Sequence, residues 1–202
     1  NKKKISEQID YLRNVPQPDQ RTENWHKFRY NMITASNAYK AYGSQSKQNE
    51  LICEKCKPLC LEYTKSRYTE SPFHWGTKFE QVSVLYYEFI YDTKIEDFGC
   101  LPHPKYHYIG ASPDGINVDS TSGLYGRMLE IKNPTTREIT GIPKEEYWVQ
   151  MQLQMEVCGL NQCDFLETKF SVYDSKDAFD EDGDFYKSKE DQHKGIMIHF
   201  IV

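Results

Sequence analysis

Gly110-Ala111-Ser112-Pro113-Asp114-Gly115 and Leu129-Glu130-Ile131-Lys132 decide how this chain is read, with Glu130 following Gly115 by fifteen residues. On a strand, residues two apart point the same way, about 6.6 Å from one another. Glu130 and Lys132 therefore share one face, and Leu129 and Ile131 take the other, toward a core. Pro-Asp-Gly favours a turn, so Asp114 is expected at the edge of the preceding strand. Gly123 lies between the two segments and lets them pair as a hairpin. That pairing would set Asp114 beside Glu130, with both beneath Lys132.

Two adjacent carboxylates repel, and one of them is pushed toward its protonated form unless a cation joins them. Mg²⁺ prefers oxygen ligands and keeps several of its waters. Asp114, Glu130 and the backbone carbonyl of Ile131 are candidates to hold one such ion. The ion would acidify a bound water and polarise a phosphate. Lys132 would position that water or neutralise the charge that builds on phosphorus.

Outward from this pair the pattern divides. Helices are expected at residues 5–13, 22–31, 47–62 and 73–91, and from a Thr34 cap to about Tyr42, where Gly43 stops the run. In the 73–91 segment Phe79, Val82, Leu85, Tyr86 and Phe89 mark an apolar face. Residues 94–101, 107–111, 115–119 and 125–132 are short, rich in β-formers and broken by Gly, Pro and Ser, as strands are. A helix over 144–160 follows Pro143 and ends near Gly159. Residues 163–173 alternate like a strand, 174–191 read as an acidic loop, and 195–202 as a final strand. The order predicts an α/β fold: a central mixed sheet flanked by helices, in a single domain spanning 1–202.

The formal net charge of −5 counts against a nucleic-acid partner until it is divided along the chain. Residues 174–191 hold eight acids and three lysines, so the rest of the chain is close to neutral. The first fifty residues carry nine Lys or Arg against five acids. A basic N-terminal region and one acidic segment suit a phosphate-binding protein better than the total suggests. No run of about 18 apolar residues exists, so no membrane partner is expected. The basic start, Asn1-Lys2-Lys3-Lys4, precedes no apolar stretch and reads as no signal peptide. The chain does not begin with Met, so its native start is expected upstream. An intracellular, reducing compartment follows as the expectation, cytoplasm or nucleus, and a viral source fits equally. Free thiols are then expected. Cys53, Cys56 and Cys60 form C-x2-C-x3-C. On a helix these are core thiols sharing one face; with a distant fourth Cys or His they would be a zinc or iron–sulfur site.

Four blocks, in order, resemble the lambda-type exonuclease or YqaJ-like viral recombinase family of the PD-(D/E)XK nuclease superfamily. They are Trp25-x3-Arg29 with Ile33-Thr-Ala-Ser36; His74-Trp-Gly76-x3-Glu80; Ser112-Pro-Asp114-Gly115 with Glu130-x-Lys132; and Tyr147-x2-Gln150-x-Gln152. The resemblance covers residues 25–160. It implies a restriction-endonuclease-like core and digestion of duplex DNA from a 5′ end, yielding 5′-mononucleotides, in recombination or repair. It implies one or two Mg²⁺ ions, replaceable by Mn²⁺, and a single-strand annealing protein as partner. Asp114, Glu130, Lys132, Glu80 and Gln150 match its catalytic positions, with Glu80 supporting the metal beside Asp114 and Glu130. Arg29, Ser36 and Ser112 match positions that hold a terminal 5′-phosphate, which makes the helices of residues 1–62 part of a DNA-end pocket. Arginine offers a fork of donors to phosphate, and Ser36 starts a helix whose free N–H groups favour anions. On the 144–160 helix Gln150 shares a side with Glu146, Tyr147 and Gln154, whereas Gln152 turns about 200° away. Gln150 is therefore the better site candidate.

Other activities stay open at this level. An endonuclease would use the same carboxylates, because one fold hosts both activities. A catalytically inactive DNA-end-binding module would keep Arg29 and the serines but gain nothing from clustered carboxylates beside DNA. A protein-interaction domain would bind no DNA end at all. Oligomeric state has no signature in the sequence.

Overall fold

In a computed structural model, residues 2–18, 22–59 and 72–196 are described. Seven helices and seven short strands occur among them: α1 (Lys2–Asn14), α2 (Glu23–Tyr30), β1 (Ile33–Thr34), α3 (Ala35–Tyr42), α4 (Gln45–Cys56), α5 (Pro72–Tyr91), β2 (Ile95–Glu96), β3 (Leu101–Pro102), β4 (Ile109–Ala111), β5 (Gly115–Asn117), β6 (Met128–Lys132), α6 (Glu145–Cys158), β7 (Cys163–Glu167) and α7 (Lys176–Glu181). The strands form two small mixed sheets, ordered β1-β4-β3 and β2-β5-β6-β7. The predicted mixed sheet with flanking helices is thus present, but it is divided. The chain crosses from one sheet to the other between β4 and β5, through Ser112-Pro113-Asp114.

The hairpin forms as its spacing predicts. β5 and β6 run antiparallel with Gly115 opposite Leu129, and the Asp114 amide donates to the Leu129 carbonyl at 3.1 Å. β6 is also paired in parallel with β7 over all five residues. It therefore lies inside the sheet, and its faces are set by what packs on them. Leu129 and Ile131 meet Val84 and Tyr87 of α5. Met128 belongs with Val157 and Cys158 of α6 in the larger core. Glu130 and Lys132, in phase with Met128, are thereby turned toward α6.

α6 buries Gln150, Met151, Gln154, Val157 and Cys158, a single stripe at helical spacing. It ends at Gly159, whose φ of 61° is a left-handed cap that other residues adopt at a cost. Gly115 is fixed by a close approach instead: a Cβ there would stand 2.2 Å from the Ile95 Cγ2 of β2.

Several boundaries differ from the sequence reading. The 94–101 stretch is two strands in different sheets, with Phe98 and Cys100 buried between them. The 163–173 stretch stops as β7 at Glu167, because its partner β6 ends at Lys132 and the Thr168 amide makes the last bond to the Lys132 carbonyl. The helix of 47–62 is α4, starting earlier at Gln45 and ending at Cys56; residues 60–62 lie outside the described residues, as does most of the 195–202 strand. Thr34 occupies the cap position of α3 but makes no side-chain cap bond; its hydroxyl meets the Ser36 hydroxyl at 3.2 Å.

α5 turns inward a face that only partly overlaps the predicted one: Phe79 is buried and Val82 and Tyr86 are half-buried. Leu85 and Phe89 are exposed, whereas Ser83, Val84 and Tyr87 are buried. The helix carries apolar side chains on two stripes, and periodicity cannot choose between them. A hydroxyl network makes the choice. Ser83 Oγ donates to Asn133 Oδ1 at 2.8 Å and lies 2.7 Å from the Thr168 hydroxyl, while Asn133 Nδ2 donates to the Gly76 carbonyl. These bonds tie α5 to the residue after Lys132.

The chain forms two compact units, Asn1–Thr168 and Lys169–Val202. The second contains the acidic segment, which holds the short helix α7 where only a loop is predicted. Ser175 Oγ caps α7 by accepting from the Ala178 amide at 3.1 Å. The Lys194 ammonium donates to the carbonyls of Phe179, Asp182 and Asp184 at 2.6, 2.7 and 2.7 Å. One cation thus gathers the peptide dipoles of a turn crowded with carboxylates.

Candidate active site

All nine residues singled out from the sequence line one cleft of about 550 Å³ in the first unit. Arg29 comes from α2, Ser36 from α3, Glu80 from α5, Ser112 and Asp114 from the sheet crossing, Glu130, Ile131 and Lys132 from β6, and Gln150 from α6.

Glu130 is the buried centre, with 0% exposure. A carboxylate so far from water needs donors on both oxygens, and it has them. Gln150 Nε2 donates to Oε1 at 2.7 Å, Gln154 Nε2 donates to Oε2 at 2.7 Å, and the Lys132 ammonium pairs with Oε1. Burial works against the Lys132 charge, but Glu130 and Asp114 outweigh it and raise the ammonium above its ordinary value. Lys132 is therefore a cation across the neutral range. Its Nζ also stands 5.0 Å from the centre of the Tyr147 ring.

Asp114 reaches the same floor from the neighbouring strand. Its Oδ2 accepts from the Ile131 amide at 2.6 Å, so the backbone at Ile131 is engaged through its N–H. Burial, then Glu130, push the Asp114 carboxyl well above the usual carboxylate range; Lys132 and the Ile131 amide offset part of this, and Glu80 adds to it. Two carboxyl groups thus crowd the Lys132 ammonium, and Asp114 is the one held toward its protonated form. Among the described residues no three His, Cys, Asp or Glu side chains form a ready group for a metal. The three-carboxylate set of Asp114, Glu130 and Glu80 is accordingly not assembled as such, and Glu80 arrives from the helix on the opposite face of the sheet. The fit to a hard cation rests on the smaller set. Mg²⁺ takes one or two carboxylates and fills its remaining positions with water.

The other end of the cleft is cationic. Arg29 Nη1 donates to Ser112 Oγ at 3.0 Å, and its guanidinium lies 4.4 Å from the centre of the Trp25 ring. Burial lowers the Arg29 pKa; guanidinium nonetheless stays charged in proteins. Lys55 of α4 stands behind it, donating to the Arg29 carbonyl at 3.3 Å. Ser36 is exposed in the first turn of α3.

Gln152 is exposed while Gln150 is buried, as helical geometry predicts. Gln154 was reachable by the same geometry, one turn beyond Gln150, but only its bond to Glu130 gives it a place in the site. Trp25 is marked in the sequence by its block with Arg29, whereas Lys55 and the cleft-lining Arg137 have no pattern that marks them, because their roles depend on how distant segments pack. Of the cysteine cluster, Cys53 and Cys56 are exposed free thiols rather than core thiols, and Cys60 lies outside the described residues. Among the described residues no helix is long and apolar enough to cross a membrane.

Against known proteins, residues 24–161 match the model of the YqaJ-like viral recombinase domain. A protein of Acanthamoeba polyphaga mimivirus, R354, is 31% identical over 188 residues, covering 86% of this chain. The chain spans about a third of that relative's length (33%). An alkaline exonuclease from Laribacter hongkongensis, LHK-Exo, superposes with a TM-score of 0.61 at 30% identity, covering 76% of this chain and 77% of that one. Its complex with dAMP superposes with a TM-score of 0.59 over the same shares. Gly115 to Lys132 and the helices around them thus sit in a shared fold, and the chain belongs to the YqaJ-like viral recombinase domain family.

Proposed function

We propose that this chain is a magnesium-dependent exonuclease that resects duplex DNA from a 5′-phosphorylated end, in the 5′-to-3′ direction, during recombination or repair. One observation carries the reading: a carboxylate floor with a half-buried lysine and an arginine–serine pocket open into the same cleft. The first suits hydrolysis of a phosphodiester, the second suits a phosphate monoester. The similarity to an alkaline exonuclease, solved also with a mononucleotide, supports the same reading.

Asp114 and Glu130 would hold the metal, with Glu80 near enough to act on it through charge and the Ile131 carbonyl as a further oxygen. When bound, the ion would supply Lewis acidity to the phosphate and a more acidic water. The chain's own residues do the rest. Gln150 and Gln154 fix the Glu130 carboxylate, so its oxygens are aimed before substrate arrives. Lys132, already charged, stabilises negative charge gathering on the phosphate oxygens. Arg29 offers its remaining N–H groups to a terminal phosphate and, with Ser112 and Ser36, fixes how far the strand enters the cleft. An annealing protein would receive the single strand left behind.

Linear duplexes bearing a labelled 5′-phosphate and covalently closed circles, each with and without Mg²⁺, test the proposal. Mononucleotides released from the linear duplex only with the metal are the expected result. A cut circle would make the chain an endonuclease, and end binding without hydrolysis a recognition module.

A further inference from the structure

Gln154 does something that none of the sequence blocks assigns. It is fully buried, one turn of α6 beyond Gln150. Its Nε2 reaches two acceptors: Glu130 Oε2 at 2.7 Å and the Ser112 main-chain carbonyl at 3.2 Å. The Ser112 hydroxyl, in turn, accepts from Arg29. One side-chain amide therefore joins the carboxylate centre to the backbone of the residue that holds the arginine.

The other half of that amide is unsatisfied. Gln154 Oε1 is buried without a hydrogen-bond partner, and an orphaned buried carbonyl destabilises the fold. Turning the amide over would not help, because it would aim that oxygen at the Glu130 carboxylate and the Ser112 carbonyl. A methionine of similar length would fill the space without an orphan. Packing alone thus gives no reason for glutamine here; the two acceptors do.

We infer that Gln154 is a positioning residue that fixes the separation between the Arg29–Ser112 phosphate pocket and the Glu130 carboxylate, keeping end recognition in register with cleavage. The inference rests on the proposed function. Ser112 and Asp114 are two residues apart in the short bend between β4 and β5, so a shift of the Ser112 backbone moves both ends of the cleft relative to Glu130. Gln154 is the tie that opposes this shift.

Gln154→Met keeps the length and removes both donors. The readout is the ratio of cleavage rates on linear duplexes with 5′-phosphate and 5′-hydroxyl ends, in Mg²⁺. The wild-type chain should prefer the phosphate, and Gln154→Met should lower that preference by about tenfold, the lower end of what one hydrogen bond to a charged group contributes. Gln154→Asn, whose shorter stem cannot span both acceptors, should do the same and serves if the methionine variant fails to fold. Partial unfolding lowers both rates together and leaves the ratio unchanged. An unchanged ratio in a folded variant overturns the inference alone. A wild-type chain that hydrolyses neither end overturns the functional reading, and this inference with it.

Discussion

Arg29 donates to the Ser112 hydroxyl at 3.0 Å, and Ser112 stands two residues before Asp114 in the chain. The two ends of the cleft are therefore coupled by a single stretch of backbone, which extends at most about 7 Å over two residues. Arg29→Ala should lower cleavage of 5′-phosphorylated ends relative to 5′-hydroxyl ends by about 10- to 100-fold, since bonds to charged groups contribute about 1.5–3 kcal/mol. Arg29→Lys keeps the charge without the fork and should recover only part of the preference. Equal preference in Arg29→Ala and wild type would remove the phosphate pocket from the proposal.

Asp114 makes a prediction about stability. Burial, then Glu130 and Glu80, raise its carboxyl well above the usual range. The folded chain then holds that proton more tightly than the unfolded chain does. Stability falls as pH rises from about 3.9, the ordinary aspartate value, toward the raised one, and the deficit persists above it. Asp114→Asn removes the titration. In metal-free buffer near neutrality it should melt a few degrees higher than wild type, with about 2–4 °C expected for each kcal/mol in a chain of this size, while losing hydrolysis. Mg²⁺ should raise the wild-type melting point and leave that of Asp114→Asn nearly unmoved. A wild type indifferent to the metal in thermal melts would argue against the ion at Asp114.

How far the sequence reaches can be seen at β6 and α5. Glu130 and Lys132 were legible because alternation on a strand and the apolar Leu129 and Ile131 fix their phase without any tertiary knowledge. Gln150 was legible over Gln152 for the same kind of reason. α5 was legible only in part, because two of its stripes are apolar and the deciding partners, Asn133 and Thr168, lie 50 and 85 residues from Ser83. The split into two sheets was hidden too. A bend at Ser112-Pro113-Asp114 looks in sequence like an ordinary turn, and only strand pairing shows that it carries the chain between sheets.

Thiol reactivity follows from burial. Burial pushes the Cys158 thiol up to about 12 and raises Cys100 as well. At pH 8 the thiolate fraction of Cys158 is then about 10⁻⁴, and the thiolate is the reactive form. Cys53 and Cys56 are exposed. In the native protein a thiol reagent should label these two within minutes and leave Cys100 and Cys158 until denaturant is added. Peptide mapping after timed alkylation reads this directly, and early labelling of Cys158 would contradict the packing of α6 against the sheet.

The pairing of Lys132 with Glu130 gives the last prediction. Glu130 is fully buried and Lys132 is its cation. Removing one partner of a buried pair costs about 3–5 kcal/mol, because the other charge is left uncompensated. Lys132→Met should therefore lower stability by that order and reduce hydrolysis by about 100-fold or more, as loss of a charge-stabilising donor does elsewhere. Glu130→Gln in the same chain removes the stranded charge. The double variant should be less destabilised than the sum of the two single ones, while remaining inactive. The raised Lys132 pKa sets the pH window: its stabilisation is complete below about 10.4, the ordinary lysine value, and disappears as pH climbs through the raised folded value. A hydrolysis rate that rises with loss of the Lys132 proton below pH 10 would make the lysine a base rather than a charge. Additive melting effects in the double variant would show that the two side chains do not act as a pair.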